Sequence, residues 1–156
     1  GSRSMTESYI KASRYAAQEL GIELVILEAD NTAEIKAVYE NIVNTRIQAV
    51  HVLGYTFFAE EAPLIASLSS IHEIPTIHFL YSFASMGGLM GYGPDYLMLQ
   101  RRTALYVDKI LRGAKPGELP VEMPTRLVLA VNIDVARDLG LKIPQALLLR
   151  ADKVIE

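Results

Sequence analysis

The residues able to do chemistry are few and scattered. Three histidines, His51, His72 and His78, are the only imidazoles, the side chains most used as bases and metal ligands at neutral pH. They do not fall at i, i+4 on one helix and no carboxylate completes a ligand set, so no metal site is expected. His51 and His78 lie in predicted strands, where a hydrogen-bonded structural histidine is the default. Cysteine is absent, which removes disulfides, thiolate metal sites and a Cys nucleophile while leaving the redox compartment open. There is no Gly-x-Ser-x-Gly elbow and no P-loop, and Ser85-Met86-Gly87 lacks the strand–turn–helix setting of a serine nucleophile. Gly87, Gly88, Gly91 and Gly93 form a Gly-rich run, but it follows a strand without opening a helix, unlike a dinucleotide fingerprint. Glu60, Glu61 and Glu118 fall on exposed helix or loop positions and read as solvated. Nucleophile, base and oxyanion donor are not assembled. No catalytic residue and no cofactor is expected, and the chain reads as a binding protein rather than an enzyme.

What stands out is hydroxyl and aromatic density directly after strand ends. Tyr55, Thr56 and Phe57 follow one predicted strand, and Tyr81, Ser82 and Phe83 follow the next. Open α/β sheets bind ligands outside the carboxyl ends of their strands, and aromatic walls with a few hydroxyl donors suit a small molecule. Ser2 and Ser4, at the start of the first helix, would add backbone amides able to hold a carboxylate. The competing reading is that Phe57, Phe58 and Phe83 simply pack the edge of the sheet.

These residues need elements to position them. Ser4 or Thr6 is expected to cap a helix to about Leu20 with Tyr9, Ala12, Ala16 and Leu20 inward and Gly21 as its stop. Ile22–Ala29 is short, β-branched and apolar and reads as a buried strand. Asn31 and Glu34 predict a capped helix whose stripe is Ile35, Val38, Tyr39 and Ile42. A strand over 48–53, a helix from about Phe58 to Ser70 and a strand over 76–80, opened by Pro75, follow. The glycines of 87–93 mark a hinge or a close backbone approach. Asp95 should cap a long helix to about Arg112, with Leu99, Thr103, Tyr106, Val107 and Ile110 in register. A loop over 113–120, a strand over 125–131, a short helix capped by Asn132 or Asp134, a turn opened by Pro144 and a polar-tipped tail over 151–156 complete the chain. Alternating helical and strand periods with doubly apolar strands predict an α/β fold, a parallel sheet flanked by helices.

Composition narrows the classes. The chain has 156 residues, 51% of them hydrophobic and 21% charged, which suits one domain with a buried core and excludes disorder. A net charge of -3, with no Lys/Arg cluster beyond a pair, excludes a nucleic-acid footprint. No apolar stretch approaches the roughly 20 residues that span a bilayer. The opening Gly1-Ser2 reads as a cloning scar, or the chain as a piece cut from a longer protein.

Three stretches carry a family resemblance: Gly87–Gly93, Tyr106–Glu122 and Asp138–Glu156. They resemble the ABC-transporter substrate-binding protein family, two-lobed proteins of the type I periplasmic binding fold whose characterised members bind aromatic amino acids. The resemblance covers the carboxy-terminal half only. It implies a ligand-binding lobe over 1–93 and 120–156, and a helix and loop over 94–119 that would pack on the absent amino-terminal lobe. It implies a small amino acid-like ligand, aromatic ones included, held in a cleft between lobes that close by hinge motion. A membrane permease would be the partner, and the location periplasmic or extracellular, with or without a membrane anchor. The cleft-lining positions would be Tyr55–Phe57 and Tyr81–Phe83, with Tyr92 at the crossover. Gly54-Tyr55 and Tyr81-Ser82 stand where family members often carry charge, which implies a less polar ligand or a different anchoring. The 95–112 helix, lacking its partner, would self-associate. On the residues alone a stand-alone flavodoxin-like sensor domain stays open, although it would begin on a strand. An α/β hydrolase or transferase would need the missing catalytic set.

Overall fold

The computed structural model describes residues 2–156, with side chains from residue 7 onward. It divides into two compact units, residues 1–48 and 49–156.

The first unit is helical. Helix α1 (Ser2–Leu20) ends at Gly21, whose φ of +65° is the left-handed stop a glycine supplies. Its inward residues are Ile10, Ser13 and Ala17, while Tyr9, Ala12, Ala16 and Leu20 are exposed. The helical period was therefore legible but its phase is shifted by one residue from the expected face. Helix α2 (Thr32–Ile42) starts as its residues dictate. The Asn31 side chain accepts from the Glu34 amide at 3.0 Å, and Glu34 reaches back to the Asp30 amide at 2.8 Å, a reciprocal cap. Ile35, Tyr39 and Ile42 are buried and Val38 half-buried, as the stripe predicts.

Between them, Ile22–Ala29 corrects the expected buried strand. The segment is paired in no sheet, and Ile22, Leu24, Val25 and Leu27 are 41–59% exposed. Propensity and an apolar run favour extended backbone, but a strand exists only where a neighbour pairs its amides and carbonyls.

The second unit holds one sheet of five strands in the order β1-β2-β3-β4-β5: Val50–Val52, Thr76–His78, Met90–Pro94, Leu127–Asn132 and Lys153–Ile155. β1, β2 and β3 run parallel, β4 is antiparallel to β3, and β5 runs parallel to β4. The sheet is thus mixed rather than wholly parallel. An apolar run such as Leu127–Asn132 reads the same in both directions, so strand polarity is settled only by how the chain returns. β5 replaces the expected tail, and three residues are too few to show a period.

Around the sheet run α3 (Thr56–Glu60), α4 (Ala62–Ile71), a 3-10 turn over Tyr81–Met86, α5 (Tyr96–Leu111), α6 (Ile133–Asp138) and α7 (Gln145–Leu148). The single helix expected over 58–70 is broken at Glu61 (φ -86°, ψ 4°), and Pro63 sits in the first turn of α4. Proline has no amide to continue the preceding helix, yet fits the start of a new one. Asp95 caps α5 through the Met98 amide at 3.1 Å, and Asn132 caps α6 through the Val135 amide at 2.9 Å. Asn132 is buried, and its side-chain amide also donates to the Ala84 carbonyl at 3.0 Å while its backbone donates to Leu89 at 2.9 Å. One side chain thereby ties the turn after β2 to the end of β4. Buried Ser69 and Thr76 bond at 2.8 Å and join α4 to β2.

The Gly-rich run is a close approach, not a hinge. A Cβ on Gly91 would lie 2.2 Å from the Leu80 carbonyl, and one on Gly93 would lie 1.8 Å from the Phe79 carbonyl. β3 therefore reaches the end of β2 only without side chains at these two positions. Gly117, by contrast, faces open space at a non-left-handed φ. Gly93→Ala should lower unfolding stability by about 3 kcal/mol in urea melts, and Gly117→Ala by under about 0.5 kcal/mol. Equal midpoints for the two variants would refute the close approach.

Candidate functional site

Three parallel strands deliver their carboxyl ends to one edge of the sheet. The residues after β1 and β2, and Asp95 after β3, lie there. Because β4 and β5 run the other way, their amino-terminal ends, with Arg126, Asp152 and Lys153, share that edge.

After β1, Tyr55 occupies the N-cap position of α3 with Thr56 as its first residue. Tyr55 is 46% exposed, Thr56 is exposed and Phe57 is half-buried. The Tyr55 and Phe58 rings meet edge-on at 6.1 Å, and Phe57 and Phe58 lie 5.5 Å apart. After β2, the tight 3-10 turn leaves Tyr81 and Ser82 half-buried and turns Phe83 fully inward. Phe83 stacks on His78 at 4.9 Å and works as core, the competing reading for that ring. Tyr92, expected at the crossover, lies within β3 on the face opposite Gly91 and Gly93 and is 49% exposed. Ser2 and Ser4 fall in the first turn of α1, and their side chains lie outside the described residues.

His78 is the group that organises this edge. It is fully buried at the end of β2, with Phe79 stacked on it at 4.6 Å. Its Nδ1 accepts from the Leu80 amide at 3.0 Å, so Nε2 carries the proton and donates to the Phe58 carbonyl at 3.1 Å. The neutral ring is satisfied at both nitrogens. Burial holds its pKa down to about 4, opposed by the Phe58 bond and assisted by nearby His51. That is the structural histidine expected from its place in a strand. Among the described residues no group of three His, Cys, Asp or Glu could hold a metal ion.

The charged members of the edge were invisible as a group in the sequence. Arg126 pairs with Asp152 at 3.4 Å, and the other Asp152 oxygen accepts the Leu129 amide at 2.9 Å. That backbone bond, with help from Arg126, lowers the Asp152 pKa. Lys153 stands 4.8 Å over the Tyr81 ring. Farther along α5, Arg102 pairs with Glu122, and the Tyr106 hydroxyl donates to the Pro120 carbonyl at 2.6 Å. The returning loop is thereby held along one flank of the helix. No residue of α5 is fully buried, and Tyr96, Val107, Ile110 and Leu111 are 40–81% exposed.

Comparison with known proteins meets this geometry. The model of the ABC transporter substrate binding protein family matches residues 2–155. The fold is similar to that of a conserved domain protein from Vibrio cholerae O1 biovar El Tor, at 26% identity and a TM-score of 0.85, covering 96% of this chain and 50% of that one. It is similar to the ABC domain from Streptococcus pneumoniae solved in complex with L-Trp, at 23% identity and TM-score 0.84, covering 96% and 52%. A ligand-free, open substrate binding protein with adhesive properties from Clostridium difficile follows, at 21% identity and TM-score 0.65, covering 96% and 50%. No curated protein matches the chain. The chain spans about half the length of the solved structures it matches.

The buried imidazole makes stability depend on acid. With a folded-state pKa near 4 and an unfolded one near 6.5, the unfolded chain takes up a proton that the folded chain refuses. Stability is complete above about pH 6.5 and falls as pH drops toward 4, by up to about 3 kcal/mol. Urea melts at pH 7.5, 5.5 and 4.5 should show that loss, and His78→Gln, less stable at pH 7.5, should show a flatter pH dependence. Parallel pH profiles for the two proteins would contradict the assignment.

Proposed function

Because the chain belongs to the ABC transporter substrate binding protein family, we propose that it is the ligand-binding lobe of a solute-binding protein that feeds a membrane permease. The ligand is a small amino acid-like molecule, aromatic ones included, bound without chemical change. The site is the carboxyl edge of the sheet, with Tyr55, Thr56 and Phe57 after β1, Tyr81 and Ser82 after β2, and Tyr92 on β3. Phe83 supports it from within the core.

The observation that carries this reading is the edge itself. Two hydroxyl-bearing aromatic turns, after β1 and after β2, stand at the carboxyl ends of adjacent parallel strands. His78 bonds to both turns and fixes their spacing. The L-Trp held by the similar Streptococcus pneumoniae domain favours an amino acid ligand. A matching lobe, equal to the uncovered half of the similar structures, would close over the ligand by hinge motion. Residues 94–119, helix α5 and its loop, would pack on that lobe. The location would be periplasmic or extracellular.

Differential scanning fluorimetry of the two-lobed protein, this chain together with its matching lobe, against individual amino acids tests this. The expected outcome is a rise of roughly 5–10 °C at a hundredfold excess over Kd for one chemical class, with the ligand recovered intact. Turnover of the ligand, or no response to any amino acid, would sink the reading. The open stripe of Tyr96, Val107, Ile110 and Leu111 gives a second expectation. Without the second lobe the chain should self-associate through α5, and Val107→Glu with Leu111→Glu should shift it to monomer in sedimentation velocity. A monomer before substitution refutes this.

A further inference from the structure

A cavity of about 200 Å³ opens at the same edge, where Tyr81 meets the amino terminus of α5 and the starts of β4 and β5. Its polar lining is Asp95, Arg101, Arg126, Asp152 and Lys153, with Tyr81 as the aromatic wall. Both carboxylates are already engaged. Asp95 caps α5 through the Met98 amide at 3.1 Å. Asp152 holds the Leu129 amide at 2.9 Å and the Arg126 guanidinium at 3.4 Å. The remaining cations are Arg101 and Lys153, and no described carboxylate forms an ion pair with either. Lys153 is instead held over the Tyr81 ring at 4.8 Å, its ammonium positioned at the cavity wall. Three cations against two carboxylates leave the lining one positive charge in surplus. This surplus lies on a chain whose net charge is -3, so a concave cationic spot is a local inversion that draws anions.

Size then selects the ligand class. At about 200 Å³ the cavity falls below the roughly 300–1,000 Å³ of a site that encloses a whole drug-sized molecule. It suits a charged head group with its neighbouring carbons. Resting on the reading above that this edge faces the ligand, we infer that the cavity takes the ligand's carboxylate, with Arg101 and Lys153 as donors and Tyr81 as the surface on which the adjoining carbon frame lies. Arg126 stays with Asp152 and shapes the wall. Guanidinium and ammonium donors make charge-assisted bonds to a carboxylate, stronger than those of neutral donors.

The test uses sodium phenylacetate, a carboxylate on a short aromatic frame, and phenethylammonium as its cationic counterpart, titrated at constant ionic strength into the nitrogen-15-labelled chain. Phenylacetate should give saturable amide shifts at Tyr81, Arg101 and Lys153, and phenethylammonium none. Arg101→Gln with Lys153→Gln should weaken phenylacetate roughly tenfold or more, while Lys153→Arg, which keeps the charge, retains binding. Both residues are exposed, so the variant spectra should otherwise overlay the parent's. Absence of phenylacetate shifts, equal binding of both probes, or unchanged affinity in the double variant would overturn the subsite. The two readings fail separately. Amino acid binding of undiminished affinity in the double variant overturns the subsite alone. Phenylacetate binding without any amino acid response keeps the subsite and overturns the proposed solute class.

Discussion

A single neutral imidazole sets the geometry of the carboxyl edge. His78 has one acceptor and one donor nitrogen, and the fold uses each once, for the Leu80 amide and the Phe58 carbonyl. The first bond fixes where the turn after β2 begins, and the second fixes where the helix after β1 lies. Because the ring is buried between Phe79 and Phe83, it cannot rotate to a second arrangement without orphaning a backbone group, which costs more than the bond itself contributes. A positively charged ring would lose the Leu80 bond outright.

The remaining spacing comes from what is left out. Gly91 and Gly93 let β3 come against the carbonyls of Phe79 and Leu80, so the turn after β2 is pressed onto the sheet and its Phe83 is driven inward. Asn132 then closes this packing from the far side through Ala84 and Leu89. The result is a 3-10 turn that divides its duties: half-buried Tyr81 meets Lys153, and Phe83 and Ala84 fill the core.

The parts of this arrangement that were legible in the sequence are those coded locally. The reciprocal cap of Asn31 and Glu34, the Asp95 cap and the placement of Tyr55, Thr56, Tyr81 and Ser82 after strands all depend on neighbours within a few residues. The inward turn of Phe83 was not legible, because it depends on the phase of a 3-10 turn pressed by glycines on another strand. β5 is short and pairs across more than twenty residues, so its existence depends on Asp152 finding Leu129. The same holds for the cations. Arg101 lies on α5, Arg126 just before β4 and Lys153 on β5, and only the reversal of β4 and β5 brings the last two to the edge where β2 ends. Ile22–Ala29 shows the opposite failure, a strand-like sequence whose backbone joins no sheet among the described residues.

That last segment has a consequence for handling the protein. A mostly apolar stretch outside any sheet is a ready template for strand addition from other chains. Conditions that favour extended pairing, such as high salt and slow concentration, are expected to act first on these eight residues.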